Sequence, residues 1–208
     1  MKPWDDARDL ILPDVPGCPW GMARSRLILA AREFFSRSGT WSATLDPIPS
    51  QAGVAEYPEI VPTANMEIVR VRHCYYGTQE IDPLVPDEFF DRQMESPGSG
   101  VPEYMTVDAD VLILSGAPSE SDVPIVVDAT FKPSLANEGL PDDLWDQHIE
   151  AIVEGAKARL YKSPKKPYAD LSLSAEARDT FVRAMGVARA RASSGSTKVK
   201  RRVRAHFF

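Results

Sequence analysis

The stretch from Leu140 to Arg191 constrains this chain most, because it reads as two helices joined by a segment that cannot be helical. Pro141, Asp142 and Asp143 mark the first start. Proline fits a first turn, where its missing N–H would have no partner, and the acids favour the positive end of the helix dipole. Trp145, Ile149, Ile152, Ala156 and Leu160 then recur at steps of four and three, so one stripe faces a core. Ser163-Pro164-Lys165-Lys166-Pro167 ends that helix, since each proline turns its predecessor away from the α region. Ser174 is the expected cap of the second helix, with Ala177, Phe181, Ala184 and Ala188 as its inner face. The pattern predicts an αα-hairpin. Gly155, which costs ~1 kcal/mol relative to alanine inside a helix, marks a close helix approach.

The remaining pattern is mixed. Residues 1–21 hold four prolines and little periodicity, and read as an extended arm. From Met22 to Ser38, Ala23, Leu27, Ala30 and Phe34 form one apolar row, with Ile28, Ala31 and Phe35 beside it. Gly39 is placed to end this helix in the left-handed conformation, and Trp41 to fold back onto its end. Short runs then read as strands: Val54–Tyr57, Glu67–Arg72, Tyr104–Val107, Val111–Leu114 and Ile125–Phe131. Ile68 points inward with either Val69 or Val71. Tyr75, Tyr76 and Gly77 suggest a hairpin returning through Ile81, Pro86 opens a short helix, and Ser96–Gly100 reads as a loop.

The expected fold class is α+β. A helix over 22–38 and the αα-hairpin (141–162 and 174–192) close a small helical bundle. A β-rich block over 51–131 is inserted in its middle, and a basic extended tail over 193–208 follows the 22–192 domain.

Charge is unevenly placed. The net charge is −6, yet no acidic residue follows Asp179. Residues 183–208 carry eight positive charges, leaving 16 positive against 30 negative charges elsewhere, a net of −14. An acidic body with a basic end implies a separate partner for that end. Lys198, Lys200, Arg201, Arg202 and Arg204 can neutralise phosphates, which gives a salt-sensitive, sequence-independent DNA-binding reading. A solvated segment is the plain alternative. His206, Phe207 and Phe208 add two aromatics that suit a groove on another protein, which favours a protein partner.

Catalytic patterns are missing. The three histidines, His73, His148 and His206, stand apart, and there is no His-Glu-x-x-His, Cys-x-x-Cys or Gly-x-Ser-x-Gly. Neither metal nor cofactor is expected, and no catalytic residue set emerges. Cys18 and Cys74 are too few for a disulfide framework and read as buried thiols of a reducing cytosol. No apolar run approaches the ~20 residues that cross a bilayer, and the acidic start is unlike a signal peptide. A helix-turn-helix is ruled out by the long connection from Ser163 to Leu173. Residue chemistry alone therefore assigns no function.

Several segments in order do resemble a known family. Leu27-Ile28-Leu29-Ala30-Ala31-Arg32-Glu33-Phe34-Phe35 closing with Trp41, then Glu56-Tyr57-Pro58 leading to Met66-Glu67-Ile68-Val69-Arg70-Val71, are the first two. The third runs from Lys132-Pro133-Ser134 through Gly139-Leu140-Pro141 and Glu150-Ala151-Ile152 to Gly155-Ala156-Lys157-Ala158-Arg159-Leu160, and on to Lys166-Pro167-Tyr168 and the Phe181 helix. From Met22 to the last residue the chain resembles the head-to-tail adaptor (head-completion, or connector) proteins of tailed bacteriophages. The resemblance implies a structural protein of the virion, assembled in the host cytoplasm. It would form a dodecameric ring under the portal protein, pass viral DNA through its lumen without sequence-specific contact, and receive a downstream tail or nozzle protein. It also implies that Lys198, Lys200, Arg201, Arg202, Arg204, His206, Phe207 and Phe208 form the portal-binding arm.

Overall fold

The helix that holds the molecule together is apolar on two sides, and it is used on both. The computed structural model describes residues 1–58, 60–61, 65–95, 100–108 and 110–194. In chain order it contains β1 (Lys2–Pro3), α1 (Arg8–Ile11), α2 (Trp20–Ser38), β2 (Ser42–Thr44), β3 (Ile48–Pro49), β4 (Glu56–Tyr57), β5 (Met66–Tyr76) and β6 (Gln79–Pro83). Then come α3 (Pro86–Glu95), β7 (Tyr104–Asp108), β8 (Val111–Leu114), β9 (Pro124–Pro133), β10 (Gly139–Leu140), α4 (Asp142–Tyr161) and α5 (Leu171–Ser194). Helix α2 lies on β9 with one side and on α4 and α5 with another. Gly39, at φ 65°, accepts the left-handed turn that ends it and donates its N–H to the Phe35 carbonyl. Trp41 then meets Phe35 edge-on at 5.5 Å between ring centroids.

The small-bundle architecture expected from the sequence is overturned. Among the described residues there are five α-helices and a large curled sheet of eight strands, in the order β2-β9-β5-β6-β7-β8-β4 with β3 also on β9. The α+β class holds, but the β region is no insert in a bundle. It has its own core, with Cys74, Ile81, Met105, Leu112, Leu114, Ile125, Val127 and Phe131 fully buried. The physical reason is that each short strand supplies only two or three inward residues. No single run looks like a core, and only long-range pairing sums them into one. The sheet is antiparallel except where β6 meets β7, with Asp82 opposite Tyr104 and Pro83 opposite Met105. Two irregularities, between Ile68 and Arg70 and between Val71 and His73, bend β5 against β9. Ser96 to Ser99 of the expected loop lie outside the described residues.

The expected extended arm is also corrected. Residues Trp4–Ala7 and Leu12–Asp14 form single 3₁₀ turns on either side of α1. Trp4, Ala7, Ile11 and Val15 are fully buried against the helices. Their spacing of three and four is a helical stripe, and Pro13 and Pro16 merely limit its turns. Strand β1 pairs with β10, Lys2 opposite Leu140 and Pro3 opposite Gly139. A Cβ on Gly139 would stand 2.1 Å from the Lys2 carbonyl oxygen, so only glycine admits this strand.

In the hairpin, Trp145, Ile149, Ile152, Ala156 and Leu160 are buried on α4. Contacts between Ala158 and Ser174 and between Gly155 and Phe181 set α5 antiparallel to it. Ser174 is not the cap of α5. Asp170 is, its Oδ1 accepting the N–H groups of Ser172 (2.8 Å) and Leu173 (3.0 Å). Ser174 lies one turn further on, buried, where its hydroxyl donates to the Ala158 carbonyl at 2.7 Å.

Candidate functional site

Lys198, Lys200, Arg201, Arg202, Arg204, His206, Phe207 and Phe208 all lie outside the described residues, which end with α5 at Ser194. The geometry that bears on them is the way α5 is fastened and left exposed. Its buried stripe is Ser174, Ala177, Phe181, Met185 and Ala188, at helical spacing. Every residue from Arg189 to Ser194 is exposed, so the helix carries Arg189 and Arg191 past the core.

The root of α5 is fixed by a carboxylate that sequence reading missed. Glu33 of α2 accepts from Arg178 of α5 through both oxygens, at 2.7 and 3.0 Å, and also from Arg159 of α4. Arg37, one turn along α2, stands at 3.4 Å. One acidic side chain thus ties three helices. The Arg178 hydrogen bonds, reinforced by those of Arg159, hold the Glu33 carboxyl down at about 2 despite the opposing effect of burial. These groups line a shallow cleft of about 560 Å³, with Lys162, Leu171 and Ser174 on its rim. Only the Arg37 spacing of four hinted at Glu33 in the sequence, because Arg159 and Arg178 are distant along the chain.

Two further ties couple the other elements. Arg32 of α2 forks onto Glu67 of β5 at 2.7 and 3.0 Å and reaches the Pro133 carbonyl, while Lys132 of β9 meets Glu67 at 3.2 Å. The Arg32 hydrogen bonds, with Lys132 behind them, lower the Glu67 pKa. Lys157 of α4 joins Glu154 to Asp14 of the first segment. The charged groups nearest the core therefore act as fasteners between layers.

The other reactive types are similarly placed. His148 packs against Phe34 and Phe35, with ring centroids at 4.9 and 6.0 Å. Burial, aided by the charge of Arg191, pushes its pKa down and favours the neutral ring. Burial pushes the Cys74 thiol up to about 12, which leaves it un-ionised. His73 pairs with Glu80 across the β5–β6 ladder. Among the described residues no three His, Cys, Asp or Glu side chains gather as metal ligands. None of the described helices is long and apolar enough to cross a membrane.

The ionic groups described above fasten the layers of the fold together, and the last turns of α5 are exposed. The model of the SU10 adaptor protein family matches residues 6–204, and the chain belongs to that family of phage adaptor proteins. No match is found among curated proteins.

Proposed function

We propose that this chain is a structural head-to-tail adaptor of the phage virion. It assembles in the host cytoplasm as a dodecameric ring beneath the portal, extends the DNA channel, and offers its far face to a downstream tail or nozzle protein. The segment Lys198–Phe208 is the portal-binding arm. The observation that carries this reading is the reach of the family match, which runs from residue 6 to residue 204 and so takes in most of the basic segment. Lys198 to Arg204 are therefore within the family pattern, and His206, Phe207 and Phe208 lie beyond it. The rigid root of α5, clamped through Arg178 to Glu33, suits an arm that must work at a distance from the core. A chain segment that orders on its partner spreads contacts over a large surface.

The test is removal of residues 195–208. The truncated chain keeps its melting temperature within about 1 °C and loses co-sedimentation with portal rings. Retained co-sedimentation would overturn the arm assignment. In the same assay, steep loss of duplex DNA binding by the full chain with rising salt would favour the accessory DNA-binding reading instead.

A further inference from the structure

The most exposed large apolar side chain among the described residues is Met94 of α3, at 85%. Phe89 of the same helix is buried against Tyr104, 5.4 Å between ring centroids, while Phe90 is 41% exposed. At about 100° per residue, Phe90, Met94, Asp87 and Asp91 share little more than a quarter of the helix surface. All four are exposed. Arg92, the one cation of α3, lies round the helix beyond Asp91 and bonds Glu88 at 3.0 Å on that other side. The face is therefore apolar and acidic together. Two neighbouring apolar side chains this open, rimmed by charge, fit a contact surface.

One segment of the chain has the matching chemistry. Residues 195–208 hold Lys198, Lys200, Arg201, Arg202 and Arg204, no acid, and Phe207 and Phe208 at their end. Cations answer Asp87 and Asp91, and phenylalanine answers Phe90 and the Met94 thioether. The distance is also suitable. The charge of Arg191, near the end of α5, is felt by His148, which packs on Phe35 of α2, and α2 lies on β9. From β9 to β7, on which α3 packs, is three strand spacings, about 14 Å. The residues from 195 to 208, if extended, reach up to about 45 Å. We infer that, before a partner is met, residues 198–208 dock on the α3 face of their own copy, with Phe207 and Phe208 against Phe90 and Met94 and the cations against Asp87 and Asp91. The contact acts as a brake, because the portal must displace the segment from α3 before taking it. That use of the contact rests on the proposed function; the docking itself does not. A contact that has to yield is weak and opens before the domain melts, so removing residues 195–208 leaves the melting temperature in place.

Engineered cysteines in the full chain test the docking, because the native Cys18 and Cys74 are buried and do not compete. Met94→Cys/Ala205→Cys is compared with Ser42→Cys/Ala205→Cys. Ser42 is also exposed, and its strand β2 lies beside β9, nearer the end of α5 than α3 is. A segment with no dock would bridge Ser42 at least as fast as Met94. Under mild oxidation at low concentration, the Met94 pair should instead close its intramolecular bridge at least about tenfold faster. Asp87→Asn/Asp91→Asn in the same chain should cut that advantage, as should raised salt. Equal rates, or an advantage untouched by both changes, would overturn the inference. Bridged multimers in place of a looped monomer would overturn it too. Co-sedimentation with portal rings separates the two levels. With only its native cysteines, the Asp87→Asn/Asp91→Asn chain should bind the rings at lower concentration than the unmodified chain, because its arm is no longer stored. Equal binding by the two chains overturns the brake. Fast bridging at Met94 without any binding to the rings keeps the docking and overturns the portal-arm reading, and binding without fast bridging does the reverse.

Discussion

Gly155 of α4 faces the ring of Phe181 on α5 so closely that a Cβ would lie 2.6 Å from both Cδ2 and Cε2, and 3.1 Å from the Ala30 Cβ. The Phe181 ring cannot retreat, being fully buried and 6.1 Å from Phe34 between centroids. Gly155→Ala is therefore expected to destabilise by roughly 1–3 kcal/mol through overpacking. The same change at Gly186, in the middle of α5 with nothing within 4 Å of its Cβ position, should stabilise by up to ~1 kcal/mol. Opposite shifts in melting temperature from two chemically identical helix substitutions are the expected outcome. Phe181→Leu in the Gly155→Ala background should recover part of the loss.

Glu33 gives a pH signature. Its carboxyl is lowered from 4.5 to about 2 in the folded chain, so it binds its proton more weakly folded than unfolded. Its contribution is thus complete above pH 4.5 and is lost as pH falls from 4.5 towards 2. Glu33→Gln should lower stability by about 1–2 kcal/mol near neutral pH, equivalent to roughly 2–8 °C for a domain this size. Thermal melts of both chains across pH should show that gap shrinking through the acid window. A gap independent of pH would mean the three-helix tie is steric and not ionic.

Gly139 is predicted to control the whole first segment. Any side chain there collides with the Lys2 carbonyl, so Gly139→Ala should expel β1. Trp4 would go with it, losing the hydrogen bonds from its N–H to the Glu138 carbonyl and from its indole to Asn137, both at 3.0 Å. Hydrogen exchange at the Trp4 amide should rise sharply, and tryptophan fluorescence should shift to the red. Trp4→Ala, which leaves the strand admissible, should instead cost about 3–5 kcal/mol as a core deletion.

What could be read from the sequence follows from the range of the forces involved. The α4 stripe from Trp145 to Leu160, the αL stop at Gly39 and the close approach at Gly155 are local or periodic features, and each is visible in a window of one or two turns. The extent of the sheet was hidden because β2 and β3 span only two or three residues, and their membership depends on β9 far along the chain. The first segment was misread because prolines masked the spacing of Trp4, Ala7, Ile11 and Val15. Glu33 was invisible as a hub because a single glutamate on an apolar helix acquires its meaning only when α4 and α5 deliver their arginines. The residues expected to bind the portal were legible only as composition, and composition carries no geometry.

The start of α5 shows how a local rule can select the wrong residue, and it yields a discriminating experiment. Asp170 and Ser174 are both good capping types, one turn apart, and the choice is made by what surrounds them. Asp170 accepts two N–H groups at the exposed end, whereas Ser174 lies inside the helix interface and donates to the Ala158 carbonyl. Asp170→Ala should cost about 1 kcal/mol as a lost cap, and Asp170→Asn should recover most of it. Ser174→Ala should cost a similar ~1 kcal/mol by removing a hydrogen bond between helices, and Ser174→Asn should not recover it as a cap substitution would, because the Ser174 partner is the Ala158 carbonyl of α4 and not an N–H at the helix start. Hydrogen exchange separates the two roles. Asp170→Ala loosens the amides of Ser172 and Leu173 alone, whereas Ser174→Ala loosens the α4–α5 contact. If Ser174→Asn is tolerated as a cap substitution would be, the assignment of Asp170 as the cap fails.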